Sequence, residues 1–278
     1  MVEFDHVLVV GAGQMGAGIA QVVAASGRRV FLYDAAPGAA EQGLQAMRRS
    51  LTKLAEKGGP DPEQVLLQIE PVDDLVPAAL MVEAVVESAP VKEEVFERAD
   101  GVLPPEAILA SNTSSIPITS LGAATTRADR VIGMHFFNPV PLMGLVEVVR
   151  GLETSDETAA AIVGLARDLG KTPAAARDFP GFVSNRILMP FINEAAYALM
   201  EGVADAESID TIAKLGFNHP VGPLALADLI GLDTCAAIMD VLYEGLGDPK
   251  YAACPLLRQY VQAGRLGRKS GRGFYQYG

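Results

Sequence analysis

The sequence predicts an α/β protein: a doubly wound, mostly parallel sheet followed by an all-α domain. Three observations carry this. Short apolar runs alternate with longer helix-periodic segments through the first two thirds of the chain. A glycine-spaced turn joins the first apolar run to the first helical segment. After Pro180 strand-like runs become few and helical periodicity takes over. The texture changes at Asp178–Gly181, so two domains are expected, residues 1–180 and 181–278, and a chain of 278 residues suits two cores better than one.

In order, Val7–Val10, Val30–Asp34, a weaker run at Leu67–Val72, Leu80–Glu87, Ala107–Ser111, Val131–Phe136, Leu145–Arg150 and Thr172–Ala176 read as strands. Their near-continuous apolar character fits strands covered on both faces. Ala36–Lys57, Val91–Leu103 and Asp156–Gly170 read as helices between them. In Ala36–Lys57 the residues Ala40, Leu44, Met47, Leu51 and Leu54 share one face. The stretch "GFVSNRILMPFINEAAYALMEG" opens the helical part, which Gly202, Gly216, Gly231 and Gly245 punctuate.

The opening "VLVVGAGQMGAGIAQVVAASGRRVFLYD" places Gly11, Gly13 and Gly16 as G-x-G-x-x-G between a strand and a helix. A second strand then ends in Asp34, eighteen residues after Gly16. Glycines at these positions permit a tight turn, close approach of backbone to pyrophosphate, and close helix–strand packing. A helix N-terminus pointing at phosphate completes the Rossmann-type motif. Asp34 suits the two ribose hydroxyls and would repel a 2′-phosphate, which favours NAD over NADP.

The remaining composition narrows the class. A net charge of −12 disfavours nucleic acid and anionic membrane surfaces. Cys235 and Cys254 lack metal-type spacing and suggest reduced thiols in the cytoplasm, with a single disulfide as the alternative. The four aliphatics Val7–Val10 are too few for a signal peptide, and no uncharged apolar stretch is long enough to span a bilayer. No metal is expected, since no two histidines are close in sequence. Arg49, Lys53 and Lys57 recur every four residues. They form either a solvated helix face or a docking strip for a phosphorylated substrate handle.

Ligands of open parallel sheets sit beyond the carboxyl ends of the strands. That rule selects Glu87, the "ASNTSS" segment with Asn112 and Ser114, and His135, while His6 falls at the opposite end and His219 in a proline-bounded turn. "VIGMHFFNPVPLMGLVEVVRG" holds His135 and Glu147 in an otherwise apolar run. A hairpin centred on Pro141 sets residues 135 and 147 directly opposite each other, with Cβ atoms roughly 4.5–5.5 Å apart. The pair is then either a general base with its orienting carboxylate or two polar groups bonded for structure only; the nearby glycine loop favours the first.

These motifs, with "MVEAVVE", "ASNTSSIPIT", "PGFVSNRILMPFINEA", "KLGFNHPVGPLALADLIGLD" and "GRKSGRGFY", resemble the 3-hydroxyacyl-CoA dehydrogenase family over essentially the whole length. The resemblance implies an NAD-dependent enzyme interconverting short (3S)-3-hydroxyacyl-CoA and 3-ketoacyl-CoA. It implies His135 as general acid/base, Glu147 as its partner, and Ser114 and Asn185 as donors to the substrate oxygen. It also implies Glu87, Lys92 and Asn112 along the NAD site, Lys53 and Lys57 on the CoA nucleotide, and a homodimer formed through the helical domain. The departures are few: Gly144 stands where a lysine is common and Val221 where methionine is usual. Rival readings are an oxidoreductase acting on another CoA thioester such as a 3-hydroxy dicarboxylic acyl-CoA, a dehydrogenase of a sugar acid or small β-hydroxy acid, and a catalytically silent NAD-binding protein.

Overall fold

The computed structural model describes residues 4–278, which divide into two compact units between Phe179 and Pro180. The first unit holds eight strands: β1 His6–Val10, β2 Arg29–Tyr33, β3 Ile69–Val72, β4 Leu80–Glu83, β5 Ile108–Ser111, β6 Val131–Phe136, β7 Leu145–Arg150 and β8 Thr172–Arg177. Six helices join them: α1 Gln14–Ala25, α2 Ala39–Ala55, α3 Pro62–Leu66, α4 Ala89–Val102, α5 Ile118–Ala123 and α6 Asp156–Asp168. The sheet order is β3-β2-β1-β4-β5-β6-β7-β8, with the chain reversing direction across the sheet after β3. Neighbouring strands run parallel except β6 and β7, which pair antiparallel.

Burial explains the strand sequences. Every residue of β4, β5 and β6 is buried, so helices must cover both faces and alternation is lost. The two edge strands differ. β3 and β8 each contain a proline, Pro71 and Pro173, and show mixed exposure. A residue without an N–H fits an edge and discourages pairing with another chain. Mixed exposure at the edge is also why β3 gives a weak signal in the sequence.

Several boundaries differ from expectation, most by a residue or two, and three differences have a cause in packing or backbone conformation. The strand predicted over Leu80–Glu87 stops at Glu83, because its neighbours stop there: β1 ends at Val10 and β5 at Ser111. Beyond that point Gly11 (φ +101°) leaves the ladder, and Glu87 lies in the following loop. The first helix after β2 begins at Ala39 rather than Ala36, after Gly38 in the left-handed region, and ends at Ala55. Arg49 and Lys53 therefore lie on α2, while Lys57 lies in the turn that leads to Gly58 (φ +84°). Gly245 does not end a helix; it sits inside one, where a Cβ would come within 2.6 Å of Pro180.

The second unit is helical: α7 Ser184–Met200, α8 Ala206–Gly216, α9 Pro223–Ile230, α10 Leu232–Leu246 and α11 Pro255–Gln262. Met189, Ile192, Ala227, Cys235, Met239 and Leu257 are part of its core. A buried carboxylate organises its C-terminal segment. Asp228 accepts from the N–H groups of Phe274 and Tyr275 (both 2.9 Å) and from the Tyr277 hydroxyl (3.0 Å). Gly273 lets the segment approach, since a Cβ there would fall 1.9 Å from an Asp228 oxygen. Asp228→Ala would leave three donors without their acceptor, two of them backbone amides. At about 1–3 kcal/mol for each donor that stays dry, a loss of about 2–4 kcal/mol is expected in urea unfolding. A change below about 0.5 kcal/mol, the range of ordinary surface substitutions, would show that water takes the carboxylate's place.

Candidate active site

The glycine loop shows the steric demands of a dinucleotide site. A Cβ on Gly11 would lie 2.6 Å from the carbonyl oxygen of Ala84, and one on Gly16 would lie 1.8 Å from that of Gly11. Backbone packs where those side chains would be. At Gly13 nothing lies within 4 Å of an added Cβ, so the loop presents bare backbone on that side. No side chain caps α1, and no acid lies in its first turn. Its N-terminal amides thus suit phosphate oxygens.

Asp34 follows β2 and joins this loop to the next. Its Oδ2 accepts from Ala12 N–H (2.7 Å) and its Oδ1 from Ala36 N–H (2.9 Å). A groove of about 640 Å³ opens beside it, walled in part by Gly13, Asp34, Met47, Arg49, Asn138 and Pro141. Of the basic row, Arg49 borders this groove; Lys53 and Lys57 are exposed and lie outside its lining. The loop, the helix N-terminus and the carboxylate together fit a dinucleotide.

At the ends of β6 and β7 the hairpin forms in the register expected from the sequence, with His135 opposite Glu147. Both are buried, and His135 Nδ1–H donates to Glu147 Oε2 at 3.0 Å. The Phe137 ring lies 4.7 Å from the imidazole, centroid to centroid. The turn between the strands is fixed from two sides. Val140 seats on Gly18 of α1, where a Cβ would approach it to 2.9 Å. The Lys171 ammonium donates to the carbonyls of Val140 (2.7 Å) and Met143 (2.8 Å), and burial pushes its pKa below the ordinary lysine range.

Between the glycine loop and the hairpin lie the ends of β4 and β5. Asn112 accepts from Phe136 N–H at 2.8 Å through its side-chain oxygen, tying β5 to the end of β6. Glu87 Oε1 accepts from Thr113 Oγ1 (2.6 Å), Ser114 N–H (2.9 Å) and Ser115 N–H (3.1 Å), and so gathers the turn that carries Ser114. Burial works to raise the Glu87 pKa. The Lys92 charge and the donors of Thr113, Ser114 and Ser115 outweigh it and hold the carboxyl below the usual range. Lys92, expected along the cofactor site, is 1% exposed, and its ammonium lies 2.6 Å from Glu83 Oε1 and 3.3 Å from Glu87 Oε2.

The sequence-predicted residues Ser114, His135, Glu147, Glu87, Lys92 and Asn112 thus belong to neighbouring strand ends or the loops and helix that follow them, all in the first unit. Asn185 belongs to the second unit, at the second position of α7, behind Gly181 and Phe182 with φ of +74° and +50°. Sequence reasoning passed over Glu83 and Lys171. A faint signal for Glu83 was present, as one of two acids in "MVEAVVE" at a strand end.

A glycine-loop sheet with a His–Glu couple at its strand ends defines an NAD-linked oxidoreductase. Comparison with known proteins specifies it. Residues 6–179 match the family model "3-hydroxyacyl-CoA dehydrogenase, NAD binding domain", and residues 181–277 match the C-terminal domain of the same family. The chain is 55% identical over 281 residues to a probable 3-hydroxybutyryl-CoA dehydrogenase of Bacillus subtilis, covering 99% of this chain and 98% of the relative. It is 50% identical over 275 residues to the 3-hydroxybutyryl-CoA dehydrogenase of Bradyrhizobium diazoefficiens, covering 97% and 94% of the two chains. The crystal structure of (S)-3-hydroxybutyryl-CoA dehydrogenase from Ralstonia eutropha superposes with a TM-score of 0.95 at 47% identity, covering 99% of this chain and 100% of that one. The chain belongs to the 3-hydroxyacyl-CoA dehydrogenase family.

Proposed function

We propose that this enzyme interconverts short-chain (3S)-3-hydroxyacyl-CoA and 3-ketoacyl-CoA, of the 3-hydroxybutyryl-CoA and acetoacetyl-CoA type, with His135 as general acid/base. The 3.0 Å bond from His135 Nδ1–H to buried Glu147 carries the reading. A carboxylate on Nδ1 fixes the tautomer, so Nε2 is the nitrogen that exchanges a proton with the 3-oxygen. Glu147 also stabilises the imidazolium that forms when His135 takes the hydroxyl proton. In the reverse direction the imidazolium returns that proton to the ketone oxygen. NAD, when bound, supplies the acceptor for the C3 hydride. Ser114 and, from α7, Asn185 donate to the substrate oxygen as its charge changes.

Gly11, Gly13 and Gly16 accommodate the pyrophosphate, and Asp34 takes the ribose and disfavours a 2′-phosphate. Glu87, Lys92 and Asn112 shape the nicotinamide end, Lys92 through its ion pairs. Lys53 and Lys57 meet the phosphates of CoA; their exposure on an acidic protein suits that task. The enzyme acts as a cytoplasmic homodimer paired through residues 181–278. Exposed Val203, Ile212, Leu215, Phe217 and Leu229 in that unit support a covered face, and the buried free thiols of Cys235 and Cys254 suit a reducing compartment.

The test follows NADH absorbance against a ladder of 3-ketoacyl-CoA chain lengths, dicarboxylic acyl-CoA and free acetoacetate. Highest kcat/KM is expected for acetoacetyl-CoA, with NADH preferred to NADPH. Preference for a dicarboxylic thioester would reassign the substrate, and preference for free acetoacetate would remove CoA from it. Preference for NADPH would overturn the role given to Asp34.

A further inference from the structure

We propose that Glu83 is a positioning residue for the reaction, the anchor of a closed ring of polar contacts that sets the turn presenting Ser114. This rests on the reading of Ser114 as a donor to the substrate oxygen. Glu83 ends β4 and is 0% exposed. Two paths leave its carboxylate. From Oε1 the first runs to the Lys92 ammonium (2.6 Å), then to Glu87 Oε2 (3.3 Å), whose other oxygen accepts from Thr113, Ser114 and Ser115. From Oε2 the second runs to the Ser111 hydroxyl, which donates at 2.6 Å and accepts from Thr113 N–H at 3.1 Å. The paths meet in the same short turn.

Glu83 also holds the loop that carries Glu87, because its Oε1 accepts from Val85 N–H at 2.6 Å. A lysine needing one counter-charge would be satisfied by one carboxylate. Here the ammonium sits closer to Glu83 (2.6 Å) than to Glu87 Oε2 (3.3 Å), and Glu87 Oε1 is directed to the turn. Without the Glu83 charge, the existing Lys92–Glu87 pair at 3.3 Å would tighten and draw Glu87 away from the donors around Ser114. The span is also not one that local turn chemistry requires, since Glu83 and Ser111 are 28 residues apart and Glu87 and Ser114 are 27 apart.

Glu83→Gln keeps the size and an acceptor oxygen but removes the charge. A donor displaced by a fraction of an ångström weakens a contact that strengthens in the transition state, so kcat for acetoacetyl-CoA reduction should fall about 10- to 100-fold. The dissociation constant of acetoacetyl-CoA, measured without cofactor, should stay within about threefold, since that contact contributes little to ground-state binding. In combination with Ser114→Ala the losses should not multiply: the double variant should match Ser114→Ala. Ser111→Ala cuts one path by removing a single oxygen, and it serves if Glu83→Gln does not fold; a roughly 3- to 10-fold loss in kcat, again absent on a Ser114→Ala background, is expected.

Wild-type turnover in Ser114→Ala would remove Ser114 from its role, and the proposal with it. Impaired Ser114→Ala beside wild-type turnover in folded Glu83→Gln and in Ser111→Ala would overturn Glu83 alone. So would losses that multiply fully in the double variants, which would mark the ring as structural.

Discussion

Alanine at position 135 is expected to lower turnover by roughly two to four decades while leaving NADH affinity near its original value. The factor follows from what the imidazole does. Removing a positioned acid/base leaves the proton transfer to water, which is neither held nor oriented. The Nδ1–H to Glu147 contact of 3.0 Å already spends one nitrogen on orientation, so no other group of the couple can take over the exchange. Glu147 is the acceptor of that contact and donates nothing through it. Cofactor affinity should hold because the glycine loop and Asp34 belong to the β1–α1–β2 segment, and His135 does not line the groove beside them. The measurement pairs steady-state reduction of acetoacetyl-CoA with fluorescence titration of NADH. A variant that binds NADH normally and keeps a tenth of wild-type turnover removes His135 from its assigned role.

That hairpin was legible in the sequence because its determinants are local. Two apolar runs flank a turn with Pro139, Pro141 and Gly144, and a centre at Pro141 fixes every cross-strand pair, including His135 with Glu147. The glycine loop was legible for the same reason: spacing, strand and helix all lie within thirty residues. Strand ends were less so. "LMVEAVVE" is apolar through Val86 except for Glu83, yet the strand stops at Glu83 because its neighbours on both sides stop there. A ladder's end is a tertiary fact. The same holds for the buried polar groups. Lys171 finds its carbonyls 31 and 28 residues away, and Asp228 its amides 46 and 47 residues away. Glu83 looks no different in sequence from Glu87 until Lys92 folds back over it. Asn185 was found through family resemblance, since a single asparagine in an amphipathic helix carries no periodic signal.

Lys92→Met should be the most destabilising of the substitutions considered, at about 3–5 kcal/mol. Methionine matches the aliphatic stem, so packing is largely kept and the loss isolates the charge. Lys92 is 1% exposed and Glu83 0%, which leaves Glu83 buried without its cation, held by the Val85 amide and the Ser111 hydroxyl. Two hydrogen bonds do not replace a counter-ion in an interior that water does not reach. The double variant Glu83→Gln/Lys92→Met makes the site neutral, and should recover part of the loss although it carries one more substitution. Urea unfolding followed by circular dichroism measures both. The pH dependence gives a second reading through Glu87. Its folded pKa is depressed, so its contribution is present above the unfolded carboxylate pKa and is lost as pH falls through the lower folded value. Removing the Lys92 charge lessens that depression, so acid unfolding of Lys92→Met should begin at higher pH than in the parent. If the single variant is as stable as the parent, or less impaired than the neutral double, Lys92 does not hold this charge cluster together.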